Sequence, residues 1–319
     1  MRTPTKAVIS LVGAGAMGAA LAARMHQNGA GTILSPLEGR SEETIQRAAA
    51  CGIVSASYAD IVKTATHILS VVPPGEALAV ARTIASAYQQ QNTRRALIFV
   101  DCNAVNTESV REISAVFSGT NVRFVDGSII GLPPSETYNP GIFFAPSPDA
   151  DMHWFEEFVG TLKGYGLNVF AMEGEGVSVG DASALKMAHS AIVKGTLGLM
   201  TSAVLAANAS SPATARGLIH ALEISQPRFV DLSDELLAEM IPKAYRFVKE
   251  MKEVGGFISA AGHSDEGRIF EEISELFGGI ARSHEAHKRD PRSAEAGDVA
   301  SILDFAQESS QTVAARASK

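Results

Sequence analysis

The sequence has 319 residues, 46% of them hydrophobic and 19% charged, which is an ordinary globular composition too long for one comfortable core and points to two domains. A net charge of −8 with no long basic block excludes nucleic acid as the main partner, because phosphate backbones require clustered Lys and Arg. The two cysteines, Cys51 and Cys102, form no CxxC pair, so no metal site is expected and a reducing, cytoplasmic compartment is.

Met1–Lys6 leads straight into a strand pattern, and no signal peptide is expected. Residues 7–12 read as a buried strand and 16–28 as a helix opened by glycines. A strand at 32–34 and a helix at 42–51 follow, then strands at 67–72 and 97–101, each succeeded by a helical stretch (76–91 and 107–117). Further strands are expected at 123–128, 142–146 and 168–171. Continuous apolar strands alternating with helical crossovers imply a largely parallel sheet covered on both faces. After residue 174 the pattern is helical throughout. Residues 180–208 form one helix about 40 Å long, and Ser211-Pro212 supplies an N-cap and a first-position proline for the next. Helices at 232–240, 243–261, 266–284 and 297–313 complete the chain. The expected architecture is a Rossmann-like domain over 1–178 and an all-helical domain over 179–319, joined by the long helix, with the active site in the cleft between them. The most apolar stretch, 195–207, is expected to be too short to span a bilayer, so no membrane partner is expected.

Gly13-Ala14-Gly15-Ala16-Met17-Gly18 stands between the first strand and a helix, where a dinucleotide fingerprint belongs. The first glycine permits the turn, the second admits the pyrophosphate and the third lets helix pack on strand. At the end of the second strand an acidic residue favours NAD, whereas Arg with a hydroxyl favours the 2′-phosphate of NADP. Arg40 and Ser41 form such a pair, with Glu38 as the contrary signal, and the cofactor expected is NADP(H). Between Val177 and Leu205 the ionisable residues are Asp181, Lys186, His189 and Lys194. Lys186, His189 and Ser190 share one helical face. A lysine in a desolvated cleft can exchange a proton with a carbonyl or alcohol oxygen. Asp101, Asp126 and Asp181 fit no metal-ligand spacing and are expected to cap or to sit in loops.

These motifs, with Val71-Val72-Pro73-Pro74, Asp101-Cys102-Asn103 and Gly180-Asp181-Ala182-Ser183-Ala184-Leu185-Lys186, follow one another as in the β-hydroxyacid dehydrogenase superfamily, which the chain resembles. The stretch 241–253 resembles a subgroup with a phosphogluconate-dehydrogenase-type C-terminal domain of poorly defined function. The resemblance implies that Lys186 is the catalytic acid/base and that His189 and Ser190 contact substrate. It also implies that Val72, Pro73 and Pro74 line the cofactor path and that Asn103 orients the reacting oxygen or the carboxamide. Ser128, Ile130 and Gly131 fall where relatives bind substrate, but the relatives' Ser-Gly-Gly is replaced here by Ile130-Gly131-Leu132-Pro133-Pro134, and Ser190 replaces a usual Asn. Tyr245 and Arg246 are further positions that could reach a substrate. The expected function is NADP-dependent hydride transfer between a carbonyl and a secondary alcohol, in a homodimer assembled through the helical domains. An imine reductase on the same scaffold, oxidative decarboxylation of a sugar acid and a non-catalytic dinucleotide-binding regulator are the alternatives.

Overall fold

The computed structural model describes residues 7–91, 95–147 and 150–318, and Met1–Lys6 lies outside them. The chain divides into two compact units, Met1–Met187 and Ala188–Lys319.

The N-terminal unit is built on eight strands in the order β3-β2-β1-β4-β5-β6-β7-β8. They are β1 (Ile9–Val12), β2 (Ile33–Ser35), β3 (Ile53–Ser55), β4 (His67–Ser70), β5 (Leu97–Asp101), β6 (Val122–Ile130), β7 (Gly141–Pro146) and β8 (Asn168–Ala171). All neighbouring pairs are parallel except β6–β7, which is antiparallel. The crossovers are α1 (Ala16–Gln27), α2 (Glu42–Ala50), α3 (Tyr58–Thr64), α4 (Ala77–Gln90), α5 (Thr107–Ala115) and α6 (Met152–Gly164). Successive residues of one strand feed opposite cores. Ile98 and Val100 pack with Leu21, Met25 and Phe158, whereas Leu97 and Phe99 pack with Ile61, Ile84 and Val110. This two-sided burial is why the strands read as largely apolar runs.

The Rossmann-like expectation is borne out, with additions. β3, α3 and α6 were not anticipated: β3 has only three residues, and α6 carries Trp154, Phe155 and Phe158, whose helix preference is weak. Asp151 and Ser57 cap α6 and α3.

One helix, α7 (Asp181–Ser210), joins the units, and the division falls within it rather than ahead of it at 178/179. The reason is that its first turns are bonded to β6, as described below. The stretch expected to be too short to span a bilayer belongs to this 30-residue helix, which by length and composition alone is long and apolar enough. Small residues extend the helical run on both sides of the apolar centre. Within the C-terminal unit, Gly195 and Gly198 of α7 meet Phe270 and Ile273.

The C-terminal unit continues with α8 (Pro212–Ser225), α9 (Pro227–Met240), α10 (Ala244–Ala260), α11 (Ser264–Arg289) and α12 (Gly297–Ala317), with no strand among the described residues. Ser211 caps α8 through Thr214 N, with Pro212 at the first position, as the sequence implied. α10 and α11 approach so closely that a Cβ on Gly267 would lie 2.7 Å from Gly255 O. Arg316 of α12 ties Glu223 of α8 to Asp231 of α9.

Candidate functional site

The ends of β1, β4 and β5 converge on the glycine turn. Gly13 has φ +107°, and a Cβ there would stand 2.1 Å from the carbonyl oxygen of Val71. A Cβ on Gly18 would stand 2.0 Å from Gly13 O. Both glycines are therefore required by the protein's own backbone. Gly15 differs: it has φ −69° at the N-cap of α1, and nothing lies within 4 Å of the place a Cβ would take. The space at Gly15 is a cradle that a side chain would fill. Without a capping side chain, the first-turn N–H groups of α1 face it, as a pyrophosphate requires. Ala14 is buried behind the turn, Ala16 is exposed, and Met17 is half-buried against the core. The run Val71-Val72-Pro73-Pro74 leaves β4 against Gly13, with Val71 N donating to Val12 O at 2.8 Å.

At the end of β2, Ser35 is fully buried and its hydroxyl has no hydrogen-bond partner among the described residues. Glu38, Arg40 and Ser41 are exposed. Ser41 is the N-cap of α2, accepting from Thr44 N at 3.3 Å. Arg40 lies near Tyr58, where its charge opposes the rise that burial imposes on the phenol pKa.

Asn103 is 3% exposed. Its Oδ1 accepts from Val72 N at 2.6 Å, and its Nδ2 donates to Ser70 Oγ at 3.1 Å and to Asp101 Oδ1. Both amide donors are spent inside the protein, so Asn103 holds the Val72 loop in place instead of offering its N–H groups outward. Asp101 is paired in strand register with Asp126. Burial, then the Asp126 charge, pushes Asp101 up to about 8, while the Asn103 hydrogen bonds oppose this.

Asp126 is fully buried and accepts from Gly180 N (2.9 Å), Ser183 N (3.1 Å) and Ser183 Oγ (2.8 Å). It thereby caps the first turn of α7, the kind of task the sequence suggested. Two residues further along β6, Ser128 Oγ donates to Ala182 O at 2.6 Å. Ser128 is 1% exposed, so its hydroxyl is a pin between β6 and α7 and not the substrate contact expected of it. Next, Ile129 O accepts from Lys186 Nζ at 3.0 Å. Strand β6 thus places Lys186 at its own C-terminal end, followed by Ile130, half-buried, and Gly131, exposed.

In the C-terminal unit, His189 is half-buried and Ser190 is 1% exposed. Ser190 Oγ donates to Glu250 Oε1 of α10 at 2.7 Å, which commits its proton within the unit and not to a substrate. Glu250 also pairs with Lys194, whose ammonium stands 4.7 Å from the centre of the Phe247 ring. Lys194 is therefore a neutralised, packed cation. Tyr245 is 66% exposed. The sequence assigns Asp126 a capping role without the helix that it caps, 54 residues on, and shows no sign of Glu250 as the partner of Ser190 and Lys194, because neither is near its counterpart along the chain.

Comparison with known proteins places these features. Residues 8–157 match the NAD binding domain of 6-phosphogluconate dehydrogenase, and residues 209–281 match a domain of unknown function (DUF1932). No sequence among the curated proteins matches the chain. A conserved hypothetical protein from Sinorhizobium meliloti is similar in structure, with TM-score 0.64, 22% identity, and 96% of this chain and 97% of that one covered. A conserved protein of unknown function, noted for its similarity to 3-hydroxyacid dehydrogenases, has TM-score 0.59 at 28% identity over 84% of this chain and 97% of its own. 3-Hydroxyisobutyrate dehydrogenase from Mycobacterium tuberculosis, with L-serine, has TM-score 0.58 at 15% identity over 90% and 95%. The imine reductase from Myxococcus stipitatus, in complex with NADP+, has TM-score 0.52 at 18% identity over 88% and 94%, and a variant of it is in complex with NAD+. The chain thus pairs an NAD(P)-binding domain of the 6-phosphogluconate dehydrogenase kind with a C-terminal domain of unknown function, on a fold shared with 3-hydroxyacid dehydrogenases.

Proposed function

We propose that the protein is an NADP-dependent oxidoreductase that interconverts a carbonyl compound and its secondary alcohol, with Lys186 as the acid/base. The observation that carries this reading is the bond from Lys186 Nζ to Ile129 O at 3.0 Å, which sets an ammonium at the end of β6 within the same compact unit as the glycine turn. A nicotinamide dinucleotide, when bound, supplies or accepts the hydride. The residues of this chain do the rest. The Gly15 cradle and the α1 terminus hold the pyrophosphate. Asn103 fixes the Val72 loop along the cofactor path, and Arg40 with Ser41 meets the 2′-phosphate. In reduction Lys186 gives its proton to the carbonyl oxygen as negative charge develops there, and in oxidation it takes the proton back. The free thiols of Cys51 and Cys102 suit the cytoplasm. The exposed α7 side chains Ile192 and Leu199, seven residues apart, suit a homodimer.

The test is Lys186→Met. NADPH affinity should stay nearly unchanged, while turnover of an accepted ketone should fall on the order of 10²–10⁴-fold, the usual worth of a positioned acid or base. Full activity in the variant, with a cyclic imine reduced faster than any ketone, would transfer the assignment to imine reduction. Tight NADPH binding with no turnover in either class would favour a regulator.

A further inference from the structure

Immediately after the carbonyl that accepts Lys186 Nζ, the chain runs Ile130-Gly131-Leu132-Pro133-Pro134. No side chain in those five residues carries a charge or a hydrogen-bonding group, and the prolines have no N–H to donate. Leu132 is 63% exposed, a branched apolar side chain three residues beyond the lysine's anchor. The conformation of this segment is set from within and from outside. Gly131 has φ +126°, and a Cβ there would lie 1.8 Å from Tyr138 Oη, so the tyrosine closes down on the bare glycine. From α1, Arg24 Nη2 donates to Ser135 O at 2.6 Å and to Tyr138 O at 3.3 Å. Ser135 N in turn donates to Tyr138 O at 2.9 Å. Arg24 Nη2 is thereby committed to two main-chain carbonyls and serves as a brace for the loop.

A carbonyl oxygen placed at Lys186 brings the substituents of its carbon against this segment. A carboxylate there would exchange water for branched aliphatic side chains and prolines, with no donor among the side chains to replace the lost hydration. An alkyl or aryl group would gain by the same contact. We propose that the substrate is an uncharged carbonyl compound, or the matching alcohol, bearing an apolar substituent beside the reacting carbon. Arg24 is the positioning residue that holds the 131–140 loop in the form that receives that substituent. The inference rests on the Lys186 reading above.

Benzoylformate and its methyl ester share the carbonyl and the phenyl group and differ in charge, so they test the proposal with the full chain and NADPH. The ester should have at least about tenfold higher kcat/KM, carried mainly by KM. Leu132→Arg should shift the preference toward the acid. Arg24→Ala should raise KM for the ester about tenfold without changing NADPH affinity, and Arg24→Lys should restore part of the loss. A loop role confined to folding would instead lower kcat, cofactor affinity and thermal stability together. Saturation-transfer NMR in the presence of NADP+ reads binding of each compound without turnover. Equal or better use of the acid overturns the substrate class, and an unchanged KM in Arg24→Ala overturns the brace. Binding of the ester over the acid with no reduction supports the apolar site and overturns the carbonyl-reduction reading. Binding of neither compound overturns the inference.

Discussion

Asp101→Asn should flatten the pH dependence of stability in the N-terminal unit. Asp101 is 1% exposed; one oxygen receives Asn103 Nδ2 and the other, Oδ2, has no partner among the described residues. Burial, then the Asp126 carboxylate, moves it from 3.8 to about 8. Burial also raises Asp126, but hydrogen bonds from Ser183 and Gly180 oppose that rise, so the charge of the pair resides on Asp126 and the proton on Asp101. Between its unfolded and folded values, Asp101 is ionised in the unfolded chain and protonated in the folded one, so folding takes up a proton. The stabilisation is complete below the unfolded value and is lost as pH rises through the folded one. At about 1.36 kcal/mol per unit, the interval from about pH 5 to about pH 8 costs the wild type about 4 kcal/mol that the asparagine variant does not lose. His67 acts in the opposite sense, since burial lowers it from 6.5 to about 4 and stability is gained as pH rises between those values. Comparing the two proteins at each pH cancels that contribution. Trp154, the single tryptophan, lies on α6, so its fluorescence during urea unfolding reports this unit. Stability curves that run parallel in wild type and variant across the interval would refute the assignment of the proton.

The two outer faces of the glycine turn should separate in mutation. Gly13→Ala meets a backbone oxygen at 2.1 Å and a positive φ, and should destabilise by at least about 2 kcal/mol in urea unfolding. Gly15→Ala, with open space around it, should leave stability within about 0.5 kcal/mol yet weaken NADPH binding in a fluorescence titration. NADPH should bind at least about tenfold tighter than NADH, about 1.4 kcal/mol, and Arg40→Ala should erase the difference; a wild-type preference for NADH would assign the ribose to Glu38. Sedimentation equilibrium should give about twice the 33.5 kDa chain mass, and Ile192→Asp with Leu199→Asp should return the monomer; a monomeric wild type at micromolar concentration counts against the dimer.

The parts of this molecule legible in the sequence are those whose cause is local. The glycine turn announces itself because Gly18 is demanded by the carbonyl of Gly13 just before it and Gly13 by its own positive φ. Ser211-Pro212 needs only its own helix turn. The strands declare themselves because two-sided burial leaves them mostly apolar. The antiparallel β6–β7 pair is less visible, because a segment with three prolines separates its strands and hides the hairpin.

Polar residues in apolar runs are a different case. Ser128, Asn103 and Ser190 each stand as site residues on the resemblance to the β-hydroxyacid dehydrogenases, which takes a buried polar group, costly unless it is used, to serve a ligand. A hydrogen-bond partner inside the protein satisfies that argument as well as a ligand does. For Ser190 the partner, Glu250, is 60 residues away, and for Ser128 it is the Ala182 carbonyl 54 residues away. Arg24 reaches the 135–138 backbone across 111 residues of chain. Pattern alone gives the cost, and only the fold gives the partner. Lys186 escapes the ambiguity in one respect. Its ammonium is oriented by a strand carbonyl, Ile129 O, whereas Lys194 meets the carboxylate of Glu250. Of two lysines on one apolar helix, Lys186 is the one that β6 holds at its C-terminal end, and in the proposed reaction that is where a developing oxyanion would be stabilised.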